Sequence, residues 1–348
     1  MATLKINLKK YLDNLNYLTN LFHNANKSLM VVTKVFGADN NLTSVINTTK
    51  IDYIADSSIK NLKNIKTNKP KVMLRIPKIS EVNELVQACD ISLNSELETI
   101  KALNVVAKSN NKIHKIVLMF DLGDLREGIF YKTFNDEIIK EILKLDYIKL
   151  IGIGTNLTCY GGVIPSKEVY EKLIKIKNLI EENNHINLEI ISGGNSSAIN
   201  LFKENKLSPV INNLRIGEAF VLGRETAYGT KIDNMHDDVF LIEAEIIELK
   251  EKPSYPEGEL GFDAFGNKVS FIDKGIMKRA ILALGKQVVN PNDLIPINNI
   301  EILGASSDHL ILDVSKENFK LGDKVTFKLK YGGILSLATS TYINKNYE

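Results

Sequence analysis

Two short stretches hold residue types that can do chemistry. In "LMVVTKVFGAD", residues 29–39, Lys34 stands near the end of an apolar run that reads as a buried strand. A buried lysine is costly unless its charge is paired or its pKa falls. A partly neutral amine at such a place is a nucleophile able to form a Schiff base. A lysine paired with a carboxylate on a neighbouring strand is the plainer alternative. In "SGGNSSA", residues 192–198, glycines let backbone N–H groups approach an anion, Ser196 and Ser197 add hydroxyls, and a helix start follows. An N-cap in a tight turn accounts for the same letters. "LRIGEA" adds Gly217 as another backbone donor, and the two loops together favour a phosphate.

The surrounding pattern indicates what positions these residues. An opening helix, about residues 7–25, carries Leu8, Leu12, Leu15, Leu18 and Leu21 at helical spacing. Eight candidate strands follow: "LMVVTKVF", "DYIADS", "KVMLRIP", "DISLNS", "KIVLMFD", "KLIGIGTN", "LEIISGG" and "NNLRIG". Helical stretches such as "SEVNELVQAC" and "SKEVYEKLIKIKNLIEEN" separate most of them. Strands apolar along their whole length, alternating with helices, argue for a parallel sheet buried on both faces, here a TIM-like (β/α)8 barrel. Chemistry in such a barrel gathers at the C-terminal strand ends. Lys34, Arg75, Asn94, Ser95, Asp121, Thr155, Asn156, Ser192 and Arg215 occupy such positions. After about residue 235 the chain turns β-rich, with "DVFLIEAEIIELK", "KVSFID", "RAILALG", "NIEILGASSDHLILDV", "KVTFKLKYG" and "SLATSTYI". The expected organisation is a barrel with its N-terminal helix over 1–235 and an antiparallel β domain over 236–348, joined through "GRETAYGTKIDNMHDD".

Composition excludes several classes. The 348 residues carry 44 basic and 42 acidic side chains, a net charge of +2, so no footprint for nucleic acid or a membrane surface stands out. Cys89 and Cys159 fit no metal or disulfide spacing and suit a reducing compartment. No apolar run approaches the ~20 residues of a bilayer span, and the N-terminus lacks a signal-peptide core. The expected location is the cytoplasm. The abundance of Asn, Lys and Ile reads as the imprint of a low-GC coding genome.

"VVTKVFGAD" resembles the lysine segment of the alanine racemase family, the type III fold of pyridoxal phosphate enzymes. Members pair a (β/α)8 barrel with a C-terminal β domain and act as homodimers with shared active sites. The resemblance implies that Lys34 holds pyridoxal 5'-phosphate as a Schiff base and serves as one acid/base. "MFDLGDLREGI" resembles the family's D-x-G-x-x-R-x-G, which puts Arg126 near the cofactor's phenolic oxygen. "GIGTNLTCYG" puts Asn156 against the ring. "SGGNSSA" stands for the phosphate-binding A-N-S, implying Asn195 and Ser196. "LRIGEAFVLG" resembles R-x-G-x-x-x-x-G, which puts Arg215 at the pyridine nitrogen and Gly217 at the phosphate. Tyr342 in "LATSTYI" loosely matches a phosphate-contacting tyrosine. An arginine at the pyridine nitrogen keeps it unprotonated, which suits racemisation over decarboxylation.

The pattern also departs from the family. The second base is a tyrosine supplied by the partner's β domain, in "S-Y-G" after "G-E"; here the stretch reads "EGELGFDAFGNK". Asp263 takes the tyrosine's place, with Tyr255 eight residues upstream. Ser192 replaces a histidine, Ala38 a tyrosine, and Ser307-Asp308 the family's M-D. These changes make alanine a poor substrate. Asp263 and Asp308, with Glu218, would meet a cationic side chain, although Asp263 as a turn cap explains its place equally well. "MLRIP", "LRIGEAFVLGRE" and "DAFGNK" resemble the members that interconvert L- and D-ornithine. The expectation is a racemase of ornithine, with lysine or alanine racemisation, or non-catalytic binding of the cofactor, as alternatives. No tight His/Cys cluster suggests a metal.

Overall fold

The computed structural model describes residues 2–263 and 265–348. Contacts divide them into one unit of residues 9–237 and another that joins residues 2–8 to 238–348. β1 (Thr3–Ile6) therefore lies in the second unit and not, as expected, with the barrel. The helix Leu8–His23, which from Lys9 onward belongs to the first unit, buries Tyr11, Leu15, Leu18 and Phe22 along one stripe.

Each expected barrel strand forms. They are β2 (Ser28–Val32), β3 (Tyr53–Asp56), β4 (Lys71–Met73), β5 (Ile91–Asn94), β6 (His114–Asp121), β8 (Ile148–Thr155), β9 (Ile190–Ser192) and β10 (Asn213–Ile216), with a short β7 (Ile129–Phe130) beside β6. All neighbours pair in parallel, and β10 returns to β2 through Arg215 opposite Met30, closing the barrel. Met30, Val32, Ala55, Val72, Ile91, Leu93, Val117, Met119, Ile151 and Ile190 fill the interior.

This inward set corrects one expectation. Asn94 lies on the face of β5 opposite Ile91 and Leu93, and its amide donates to the carbonyl and hydroxyl oxygens of Ser92. It does not belong to the mouth. Arg75 is also diverted, donating to Glu81 and to the carbonyls of Ser57 and Ile76.

Lysines brace the N-terminal end of the barrel. Lys27, ahead of β2, donates to the carbonyls of Ile211 (2.5 Å) and Ser208 (3.3 Å), ahead of β10. Lys69, ahead of β4, reaches the Thr49 and Ile51 carbonyls ahead of β3; Lys112, ahead of β6, reaches those of Val86 and Cys89 ahead of β5. Each brace ties a strand to its neighbour in the sheet and gives backbone carbonyls of the connecting segments a charged donor. Part of the lysine content thus has a structural use beyond any bias of the genome.

The second unit is a sheet of β11 (Phe240–Pro253), β12 (Ile276–Leu282), β13 (Leu294–Pro296), β14 (Glu301–Ala305), β15 (Leu310–Asp313) and β16 (Lys324–Leu329). Their order is β13-β16-β11-β12-β15-β14, all antiparallel. β1 pairs antiparallel with β11 and parallel with β17 (Asn344–Tyr347). Two expected strands are absent. "KVSFID" makes one isolated bridge, Lys268 to Phe262. "SLATSTYI" begins inside a helix, Tyr331–Thr339, where Ile334, Leu337 and Ala338 are buried at three- and four-residue spacing. The helix starts on glycines because a Cβ on Gly332 would lie 2.6 Å from the Asp293 carboxylate.

Lys27→Met keeps the apolar stem and removes the brace between β2 and β10. The expected cost is about 1–3 kcal/mol, the penalty for leaving a buried acceptor unmatched. It should appear as a thermal midpoint lower by several degrees; an unchanged midpoint would show the brace to be idle.

Candidate active site

The C-terminal ends of the barrel strands gather Lys34, Arg126, Asn156, Asn195, Ser196, Arg215 and Gly217 at one mouth. β2 ends at Val32, before the lysine. Thr33 donates its N–H to the Ala55 carbonyl and its hydroxyl to Asp56 at 2.6 Å, and Lys34 opens a short 3-10 turn, Lys34–Phe36. Gly37 (φ 60°) and Ala38 (φ 54°) complete the reversal in left-handed conformations. Val35 and Phe36 are buried while Lys34 is exposed, so a fixed backbone presents a free amine. Among the described residues the Lys34 Nζ has no partner. Lys34 escapes the cost of burial by leaving the strand.

Arg215 is the buried cation of the mouth, 5% exposed. It donates from Nη1 to Ser192 Oγ and from Nη2 to the Thr155 carbonyl, both at 2.6 Å, and more weakly to Asn156 at 3.5 Å. The Ser192 hydroxyl in turn donates a hydrogen bond to Asn213 Oδ1 at 2.7 Å. Burial pulls the Arg215 pKa down to about 10; Glu127 opposes that shift and Arg126 adds to it. The group remains a cation at neutral pH. Among the described residues its Nε–H has no partner. Gly154 makes room for this network: a Cβ there would lie 3.1 Å from Ser192 Cβ and 3.2 Å from Met119 Sδ.

Asn195 caps the turn Ser196–Ala198 by accepting the Ser197 N–H at 2.8 Å. Its Nδ2 donates to the Leu157 carbonyl, to Asn156 and to Cys159 Sγ at 3.2 Å. Ser196 Oγ accepts the Ala219 N–H at 3.3 Å, tying the loop after β9 to the loop after β10. Gly217 lies against Val32, where a Cβ would stand 3.1 Å from that of the valine. Arg126 forms a forked ion pair with Glu127 and borders the Asn156 amide.

A buried carboxylate organises these loops. Asp124, 1% exposed, accepts backbone N–H groups from Thr158, Cys159, Tyr160 and Val163 at 2.9–3.2 Å, while its own carbonyl accepts from Gly161. Burial alone would raise its pKa; the N–H donors outweigh that and hold it below the ordinary carboxylate range. Asp124 thereby joins the segment carrying Arg126 to the loop that follows Asn156. Sequence reasoning missed it because its partners lie 34–39 residues away.

The remaining expected residues belong to the second unit. Asp263 Oδ1 accepts the N–H groups of Phe265 and Asn267, and both carboxylate oxygens meet the Asn267 amide. The Asn267 side chain, with these backbone donors, lowers its pKa. Such a carboxylate caps a turn and makes a poor proton acceptor. Asp308 is exposed and accepts from its neighbour Ser307 at 3.0 Å. Gly285 permits this loop to approach, since a Cβ there would collide with the Ser307 carbonyl. Tyr255 stacks edge-on against Phe271, and Tyr342 is 59% exposed.

The family described as "Alanine racemase, N-terminal domain" matches residues 6–225. The chain belongs to the alanine racemase family. It is 49% identical over 344 residues to the ornithine racemase of Acetoanaerobium sticklandii, covering 98% of both chains. It is 39% identical over 350 residues to the lysine racemase of Thermotoga maritima, covering 99% of this chain and 98% of that one. In fold it is similar to the alanine racemase of Bartonella henselae, solved with covalently bound pyridoxal phosphate: TM-score 0.73, 14% identity, 100% of this chain and 99% of the other. Ser192, where the family has a histidine, meets the buried arginine as a hydroxyl acceptor.

Asp124→Asn retains shape but leaves N–H donors facing an amide that cannot accept from all of them. Hydrogen exchange should show lost protection across residues 158–163. The wild-type loop should be stable above the ordinary carboxylate range and loosen as pH falls through Asp124's lowered pKa, and the variant should lack that acid transition. Equal protection in both proteins would refute the assignment.

Proposed function

We propose that this chain is the racemase that interconverts L- and D-ornithine, acting in the cytoplasm as a homodimer in which each copy's β domain completes the other's barrel mouth. Family membership makes it a pyridoxal phosphate-dependent amino-acid isomerase. The observation that carries the site assignment is a partnerless exposed lysine at the same mouth as a buried arginine with an unmatched N–H. No described helix is long and apolar enough to cross a membrane.

The residues present fit the cofactor. Ser196 and Gly217, on loops already tied together, supply a phosphate cradle, with Asn195 fixing the first loop. The unmatched Arg215 N–H suits an acceptor nitrogen, and a guanidinium has no proton to yield to it. Arg126 addresses the phenolic oxygen, and Asn156 stands beside the ring. Bound pyridoxal phosphate supplies an electron sink for the pair left when a proton leaves the α-carbon. Lys34 holds the cofactor at rest; once released by substrate, its amine moves a proton on one face of that carbon.

Ornithine is favoured by the higher identity to an ornithine racemase over nearly the whole chain. For its side-chain ammonium, Asp308 is better supported than Asp263, whose oxygens are engaged in a turn. The non-catalytic reading loses weight because the chain spans both racemase relatives almost end to end.

With pyridoxal phosphate and L-ornithine in D2O, optical rotation and the α-proton signal should decay together, faster than with lysine or alanine. If both persist, the racemase reading falls. Borohydride reduction should fix the cofactor on the Lys34 peptide and fail to do so in Lys34→Ala. Asp308→Asn should lower kcat/KM for ornithine at least about tenfold, roughly 1.4 kcal/mol, with little change for alanine. An equal loss for both substrates would remove Asp308 from specificity.

A further inference from the structure

The loops tied together at Ser196 and Gly217 offer a phosphate only neutral donors. Ser196 Oγ accepts the Ala219 N–H and donates to nothing among the described residues. Ser197 Oγ is buried and, among the described residues, has no partner. Two hydroxyl protons on one turn, Ser196–Ala198, are thus uncommitted, and a buried polar atom without a partner marks a place for an acceptor. A phosphate brings a charge of about −2 at neutral pH. A cation answers that charge better than neutral dipoles do. Ala38, at the family's tyrosine position, supplies no side-chain donor.

A third segment of the same unit reaches both loops. After Gly223 (φ 60°) the chain runs through Arg224, Glu225 and Thr226. Arg224 donates from Nε and Nη2 to Glu218 Oε1, at 3.1 and 3.0 Å, and Glu218 directly follows Gly217. Thr226 Oγ1 donates to Asn195 Oδ1 at 3.4 Å. Residues 224 and 226 therefore address the loops after β10 and β9 respectively. Glu225, between them, bonds elsewhere: fully buried, it accepts the N–H groups of Ala227, Tyr228 and Thr230 at 2.6–3.0 Å. With the bridge from Arg224 to Lys231, that cage fixes the backbone from which the guanidinium projects. Burial raises the Glu218 pKa and the Arg224 charge opposes the rise, so the carboxylate depends on its arginine. A phosphate at Gly217 would repel that carboxylate and attract the same arginine.

We propose that Arg224 is a further cofactor-binding residue, the cation that meets the phosphate of pyridoxal 5'-phosphate beside Gly217, an inference that rests on the phosphate cradle read above. A guanidinium carries five N–H donors, enough for two anions at once. Nε and Nη2 stay on Glu218, while Nη1, which makes no bond among the described residues, is open to the phosphate. Glu218 has two effects on this contact. Its oxygen aims the guanidinium, and its charge subtracts from the field the phosphate meets.

The test is equilibrium dialysis of the full-length apoprotein against pyridoxal phosphate and, in parallel, against pyridoxal, which lacks the phosphate. Arg224→Gln should bind pyridoxal phosphate at least about tenfold more weakly, the size of a lost charge-assisted bond, and pyridoxal as before. Glu218→Gln keeps an oxygen to aim the arginine and removes the opposing charge, so it should bind pyridoxal phosphate at least about threefold more tightly. The double variant Glu218→Gln, Arg224→Gln leaves no charge unpaired in the fold and should still be weak for the phosphorylated ligand alone. The proposal is overturned if the double variant binds pyridoxal phosphate as tightly as Glu218→Gln does. It is equally overturned if Arg224→Gln weakens both ligands alike, or if Glu218→Gln weakens pyridoxal phosphate. Wild-type protein that binds the two ligands equally would instead overturn the cradle itself.

Discussion

Closure of the barrel between β10 and β2 is the constraint on which everything else depends. Strands of a parallel sheet leave rows of N–H and C=O groups that must find partners once buried. Pairing Asn213–Ile216 with residues 28–31 removes the last two edges. The same pairing sets Arg215 beside the strand that leads into Lys34 and Gly217 against Val32. Lys27 and the Asn213 amide, which donates to Ser28 Oγ at 2.9 Å, fasten the join from its far end.

The mouth is built on unequal treatment of charge. Arg215 is buried without a carboxylate in contact, held by hydroxyl and carbonyl oxygens, and so keeps a strong field directed at whatever binds. Arg126, nearer solvent, is neutralised by Glu127. Asp124 has its charge absorbed by backbone dipoles and acts as a fastener. Lys34 is left uncommitted. Three groups are thus fixed and one is kept free, which is what a site needs when a single amine must both hold a cofactor and handle a proton.

The sequence made the strands legible because a strand buried on both faces is apolar along its length, and the mouth followed from where those runs stop. Direction was less legible. Whether a strand residue faces inward depends on register: the irregularity opposite Ile116 and Val117 sets Gly152 and Gly154 inward, while Asn94 falls on the outer face of its strand. β1 was hidden because four residues carry too little pattern and their partners lie more than two hundred residues away. The helix Tyr331–Thr339 was hidden because a short apolar run with threonines fits either period. The turn that Asp263 caps was not legible by alignment, which gives a position but not a side chain's partners.

The braces at the N-terminal end also bear on how the chain assembles. Lys69 and Lys112 bridge segments about twenty residues apart, whereas Lys27 must wait for Ile211. Contacts of short span form early and those of long span late. During synthesis the apolar edge of β2 therefore stays open until almost two hundred further residues have emerged. Through that interval "SLMVV" is a ready template for foreign strands, so the window for aggregation is set by elongation and closes only when β10 arrives.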